Sequence, residues 1–135
     1  MGMKDLHSKV KVSPAIDPAA IRTGNATTTS NTIDTDGFAS LEFLIQSGVI
    51  TDGAWAIQVW HGDASNMSDE AQCAAADLIG SAPSFAATDD SVTKRVGYKG
   101  GKRYVRIKAV QSGATTGGFI SAVAVQGNPL YAPVP

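Results

Sequence analysis

The chain has 135 residues, enough for one domain that hides roughly two-thirds of its extended surface in a core. Eleven basic and 12 acidic side chains leave a net charge of −1, so no global field draws it to nucleic acid or to a membrane surface. Charged residues make up only 17%, below the roughly 25% usual for a soluble domain, and Ala, Gly, Ser and Thr fill the gap, as suits short strands and a surface that other protein covers.

From the start of the chain, "MGMKDLHSKVKV" has no apolar h-region and does not read as a secretory signal. Met1-Gly2 opens like a myristoylation site, but Leu6 stands where Ser or Thr is required. No apolar run approaches the ~20 residues needed to cross a bilayer, so the expectation is a soluble protein made and used without export. Residues 1–20 carry Pro14 and Pro18 and read as an N-terminal arm, with "KVKVSPAI" a short strand candidate inside it. "TGNATTTSNT" (23–32) is polar and aperiodic, a loop or extended segment, and "NTIDT" is a further short strand candidate.

Strong period-two alternation then begins. "FASLEFLIQSG" puts Ala39, Leu41, Phe43 and Ile45 on one face, and "AWAIQVWHG" puts Trp55, Ile57 and Val59 on one face. The intervening "GVITDG" supplies turn residues, so these two runs are expected to form a hairpin. "SDEAQCAAADLIG" (68–80) is either a helix capped by Ser68 and closed by Gly80 or a long loop with a single helical turn. "SVTKRVGY" is a short strand candidate. "KRYVRIKAV" sets Val105, Ile107 and Ala109 opposite Arg106 and Lys108, and "GFISAVAVQG" is apolar on both faces, as for a central strand or one covered by a partner. The tail "NPLYAPVP" (128–135) has three prolines and reads as a C-terminal arm, packed on its own body or on a neighbour. Seven or eight strands at this spacing predict a single all-β sandwich or barrel with no second domain.

The chain offers little reactive chemistry. His7 and His61 are too far apart for a metal motif, and "DASNMSDE" lacks the glycine and terminal Glu spacing of an EF-hand loop. Cys73 is alone, has no neighbouring base and reads as a small apolar residue; a reducing compartment fits it. "GYKGG" and "ATTGG" match phosphate loops in composition only, and Asp34/Asp36 and Asp89/Asp90 read as turn formers. The expectation is therefore no catalytic residue, no metal, no cofactor and no enzyme activity.

Charge segregation is the strongest positive signal. No basic residue lies between Arg22 and Lys94, while ten of the 12 acids do. Lys94, Arg95, Lys102, Arg103, Arg106 and Lys108 then crowd one segment, and nothing after Lys108 is charged. Such a segment is a docking face for an acidic partner, a phosphate-binding strand, or a solvent-facing strand paired with acids of a neighbouring strand such as Glu42. Tyr98 and Tyr104 alternate with these cations, which keeps a single-stranded nucleic-acid-binding barrel as an alternative. The small net charge and the unmatched acids weigh against it. Trp55 and Trp60 lie on opposite faces, so at most one is available as an exposed anchor.

The stretches "MKDLHSKVKVSPAI" (3–16), "GDASNMSD" (62–69), "GYKGGKRYVRIKAV" (97–110) and "GFISAVAVQGNPLYAPV" (118–134) together resemble capsid decoration, or cement, proteins of tailed bacteriophages and prophages, in collinear order over nearly the whole chain. The resemblance implies a jelly-roll-like antiparallel β-sandwich with extended N- and C-terminal arms. It implies a structural virion protein on the capsid exterior, assembled in the host cytoplasm and bridging subunits of an HK97-type coat. Its partners would be the major capsid protein and itself, a dimer before a trimer, with no nucleic acid and no membrane. The candidate contact residues are Lys4, His7 and Lys9 of the first arm, Lys94, Arg95, Lys102, Arg103, Arg106 and Lys108 of the basic segment, and Leu130 and Tyr131 of the second. A tail, baseplate or receptor-binding component of the same kind of phage is the alternative within that resemblance. Removal of residues 1–13 or 128–135 is expected to leave the sandwich folded.

Overall fold

In the computed structural model, which describes residues 5–134, the alternating segments become strands. In chain order they are β1 (Lys11–Ile16), β2 (Thr27–Thr29), β3 (Ile33–Asp34), β4 (Phe38–Ile50), β5 (Ala54–Gly62), β6 (Ala71–Gln72), β7 (Leu78–Ile79), β8 (Ser84–Phe85), β9 (Thr93–Tyr98), β10 (Tyr104–Ser112) and β11 (Gly118–Pro129). Two sheets result. One, here sheet I, runs β1-β11-β4-β9-β7. The other, sheet II, is built on the β10–β5 pair, with β2 and β3 on the free side of β10 and β6 and β8 on the free side of β5.

All pairings are antiparallel, and the chain alternates between sheets at nearly every long connection. That winding is a jelly roll, so the expected all-β sandwich is the fold found. Between the sheets lie Leu41, Phe43, Ile45, Val96, Ala122 and Ala124 from sheet I and Trp55, Ile57, Val59, Val105, Ile107 and Ala109 from sheet II. Burial of each large side chain contributes roughly 1.5–3 kcal/mol.

The hairpin expected from "GVITDG" does not form: β4 lies in sheet I and β5 in sheet II. The apolar faces of both strands need cover, and placing them in opposing sheets lets each cover the other. The crossover is fixed by Asp52, whose carboxylate accepts N–H bonds from Thr115, Thr116 and Gly117, while Thr51 N–H donates to the Gly117 carbonyl. The β4–β5 and β10–β11 crossovers are thus tied together at one end of the sandwich.

Residues 68–80 form the loop alternative rather than the helix, with one 3-10 turn at Ala75–Asp77. Ala71 and Gln72 are drawn out flat to pair with β5, and Cys73 N–H donates to the Val59 carbonyl. The N-terminal arm is shorter than expected. Lys11–Ile16 forms the edge strand of sheet I, and Ala15 and Ile16 enter the core. Pro14, which lacks an N–H, is tolerated because that edge has no further strand to satisfy. The C-terminal segment lies on its own body, with Leu130 N–H donating to the Gly37 carbonyl and Val134 N–H to that of Ser8.

Candidate docking surfaces

The basic segment from Lys94 to Lys108 is two strands, not one. β9 belongs to sheet I and β10 to sheet II, joined by the 99–103 loop. Tyr98 closes that loop: its hydroxyl accepts the Lys102 N–H at 2.9 Å and meets His61 Nδ1 at 2.9 Å. Burial pushes the Tyr98 phenol up from its ordinary value despite the Lys102 hydrogen bond.

Each cation singled out in this segment meets an acid of its own chain. Lys94 reaches Asp89 at 3.2 Å, and Lys102 reaches Asp63 at 2.7 Å. Arg103 grips Asp34 with two parallel bonds of 2.8 and 2.9 Å and has Asp36 at 3.6 Å. That fork holds the Asp34 carboxyl below the usual carboxylate range and raises Arg103. On the outer face of sheet II, Glu70 receives both Arg106 and Lys108, each at 2.7 Å. Lys108 Nζ also stands 4.1 Å from the centre of the Trp60 ring. Burial pushes Glu70 up, but the Lys108 and Arg106 hydrogen bonds outweigh it and hold the carboxyl low.

Glu70 arrives on this face because the 63–70 loop folds back over it. Asp69 accepts the Asp63 and Ala64 N–H groups, and Met67 is buried beneath. Arg95 is the loosest of the set, 4.0 Å from Glu42 and with a side chain 78% exposed. The strand-to-strand pairing anticipated from the sequence is present, but Glu42 partners Arg95. The acid for Arg106 and Lys108 is Glu70, more than 35 residues away with no local signal in the sequence.

The outer face of sheet I is different in kind. Register across the strands lines up Ile79, Gly97, Glu42, Val125 and Val12 in one row, and Arg95, Leu44, Val123 and Pro14 in the next. Gln46 and Ser121 follow, and then Phe119, which lies against Gly48 where a Cβ would come within 3.0 Å of it. Val12, Phe119, Val123 and Ile79 are 61, 41, 37 and 57% exposed. A shallow trough of about 300 Å³ runs along this face between Ile79, Glu42, Val125 and Gly127. The unusual "GFISAVAVQG" run, apolar on both sides, becomes the central strand β11: Ile120, Ala122 and Ala124 face the core, and Phe119, Val123 and Val125 face outward.

Of the arm residues, Lys4 lies outside the described residues. His7 and Lys9 form the exposed 3-10 turn beside the C-terminal segment. Leu130 and Tyr131 are 73 and 86% exposed although the Leu130 N–H is bonded to the Gly37 carbonyl, and exposed Leu6 stands beside Pro129 and Ala132. The structure therefore keeps these two groups apart from the Glu70 cluster, at the end of the sandwich where the termini meet. Trp55 is a core residue, and Trp60 is the half-buried platform under Lys108. Cys73 packs against the core, and burial pushes its thiol up to about 11. Among the described residues, no group of three or more His, Cys, Asp or Glu side chains gathers at metal-binding distances, and no helix is long and apolar enough to cross a membrane.

No protein-family model and no curated protein matches the sequence. Among solved structures, the exported protein XepA of the phage PBSX is similar over 99% of this chain, with a TM-score of 0.56 at 14% identity. This chain spans 42% of the length of that protein. The K1 adhesin domain of Lys-gingipain from Porphyromonas gingivalis W83 follows at a TM-score of 0.39 and 17% identity, covering 87% of this chain and 73% of that one. A family 29 carbohydrate-binding module follows at 0.37 and 11%, covering 93% and 100%. The likeness to XepA shows a shared β-sandwich, and the two weaker ones carry no argument.

Proposed function

We propose that this chain is a structural component of a phage particle, a decoration protein that sits on the outside of the head and bridges coat subunits. The observation that carries the reading is the division of labour between its surfaces. Five of the seven cations that make the sequence look like a phosphate binder are taken up by Asp34, Asp63, Glu70 and Asp89, while Arg95 stands 4.0 Å from Glu42 and Lys99 is exposed. The surface left free is the uncharged outer side of β1 and β11, together with Leu130 and Tyr131 at the terminal end. Such a surface docks by area rather than by charge, as a protein repeated over a lattice does, and repetition supplies avidity to a modest contact. The collinear resemblance to decoration proteins supports the same reading, and a fold shared with a phage protein agrees with it. The interface uses protein surface, with no role for nucleic acid, membrane or cofactor, and the protein has no catalytic activity of its own.

That the similar phage protein is an exported one favours a second reading, in which this chain is released rather than carried on the particle. One fractionation separates the two. Particles produced by the host that carries the gene are banded by density, heads and tails are separated, and every fraction is probed with an antibody to this chain. Signal on DNA-filled heads at a constant copy number per coat subunit supports decoration. Signal on tails moves the protein to the tail or baseplate, and signal only in the particle-free supernatant overturns the particle assignment in favour of release.

A further inference from the structure

We propose that the outer face of sheet I is a self-association face, on which a second copy of this chain packs about a two-fold axis. The inference stands on that face and does not depend on the particle assignment.

The edges of both sheets are poor templates for another strand. β1 carries Pro14 and an irregular register between Pro14 and Ile16, and β7 is two residues long. In sheet II the outer pieces β2, β3, β6 and β8 are two or three residues each. The outer face of sheet II is occupied by the chain's own 63–70 loop and by the Glu70, Arg106, Lys108 and Trp60 cluster. The face of sheet I has no such cover.

Its charge pattern fits a copy of itself. Consider an axis lying in the contact plane, across the strands, between the Val12–Val125–Glu42–Gly97 row and the Pro14–Val123–Leu44–Arg95 row. Rotation exchanges the two rows. Val125 of one copy then lies over Val123 of the other, and Val12 over Pro14. Arg95 comes down over Gly97, the position flanked by Glu42 and Ile79 in the same row. The guanidinium that is most exposed and most loosely paired within one chain thereby gains a second carboxylate, while the β1 and β11 half of the contact strands no charge. An axis parallel to the strands along β4 would instead set Glu42 against Glu42, which the charges disfavour.

The area sets the strength. β1 and β9 offer six residues each, β7 two, and β4 and β11 are longer than either. With about seven residues of β4 and β11 opposite them, at about 4.8 Å between strands and about 3.3 Å per residue, the patch is roughly 450 Å² per copy. Two copies bury about 900 Å², which falls among weak, transient contacts. The expected dimer is therefore weak, with a Kd on the order of 10 µM.

Sedimentation of the full chain over a concentration series tests this directly. The expected result is a monomer–dimer equilibrium that Val123→Arg weakens by about 100-fold or more, because a second copy would bury an unpaired charge. Ala56→Arg, exposed on the opposite sheet, should leave the equilibrium in place. Arg95→Glu should weaken it by about 10-fold, and Arg95→Glu with Glu42→Arg should restore it. The double swap keeps the test decisive if Val123→Arg fails to fold. A chain that stays monomeric to about 0.5 mM, a trimer, or a dimer indifferent to both Val123→Arg and the Arg95 swap overturns the proposal.

Discussion

Replacing Glu70 by Ala is the most direct probe of the ion-pair arrangement. The carboxylate holds Arg106 through Nε and Nη2 at 2.8 and 2.7 Å, and Lys108 through Nζ at 2.7 Å. All three side chains are between 18 and 22% exposed, so the cluster is neither solvated nor fully dry. Exposed pairs contribute up to about 1 kcal/mol, and removal of one partner of a buried pair costs about 3–5 kcal/mol. A half-buried acid shared by two cations falls between, at about 2 kcal/mol. For 135 residues the unfolding entropy near the midpoint is roughly 0.28 kcal/mol/K, so Tm should fall by about 7 °C.

Calorimetry of the parent, Glu70→Ala, and Glu70→Ala combined with Arg106→Met and Lys108→Met gives the full comparison. The triple variant should recover most of the loss, since it removes the cations left without a partner. Heparin chromatography at low salt adds a second readout. Glu70→Ala should be retained longer than the parent, whose cations on this face are already engaged. A loss below about 0.5 kcal/mol, with no change in retention, would refute the claim that Glu70 immobilises these cations, and the face would then be an open basic one.

Gly117→Ala should destabilise the fold by at least about 2 kcal/mol in urea titrations. Gly117 has φ +86°, and an added Cβ would collide with the Arg22 carbonyl oxygen. Stability should be level near neutral pH and decline as pH falls through and below 4. Asp34 is held low by Arg103, Asp52 by the Gly117, Thr116 and Thr115 N–H groups, and Asp89 by the Ala86 N–H and Lys94, so the unfolded chain binds more protons in that window. Urea midpoints against pH should show a shallower acid decline for Asp52→Asn. Cys73, with its thiol pushed up to about 11, should react with iodoacetamide at pH 7.5 far more slowly than in the urea-unfolded chain, as mass spectrometry would show. Deleting residues 130–135 removes the Leu130 and Val134 backbone bonds and should leave the melting transition nearly intact. Deleting 1–16 takes away the whole of β1 and should lower Tm sharply.

The sequence-based expectation that the sandwich stays folded without residues 1–13 takes no account of Lys11, Val12 and Ser13 pairing with β11, and the reason applies more widely. Alternation in "KVKVSPAI" announces a strand, but two prolines nearby announce an arm, and the two signals concern different things. Pro14 forbids a neighbour on one side only, so an edge strand satisfies both. The same limit explains the β4–β5 connection. Period-two patterning says which side chains need cover and is silent on whether the cover comes from the same sheet or the opposite one. Nothing local to "GVITDG" records that Asp52 is bound by a loop more than 60 residues later. Legible in the sequence are β1, β3, β4, β5, β9, β10 and the two-sided apolar run that becomes β11, whereas the two- and three-residue pieces β2, β6, β7 and β8 are not, and residues 68–80 stay open between helix and loop.

Charge segregation along the chain misled because separation in sequence is the opposite of separation in space for this winding. A jelly roll lays β9 against β4 and β10 against β5, joining residues 94–108 to elements and loops drawn from residues 34–90. Acids of residues 34–90 and bases of residues 94–108 then pair mostly across long sequence separations: Asp34 with Arg103, Glu42 with Arg95, Asp63 with Lys102, Glu70 with Arg106 and Lys108, with Lys94 and Asp89 the local exception. Had both signs been mixed within β9 and β10, shifting either strand by two residues would have kept many pairs satisfied. With the signs divided, such a slip breaks several pairs together, so the pattern penalises wrong registers beyond what each exposed pair contributes in the right one. β11 needs no such device. It is held between β1 and β4 by Ile120, Ala122 and Ala124 on its inner side, which leaves its outer side free of charge and open to be covered.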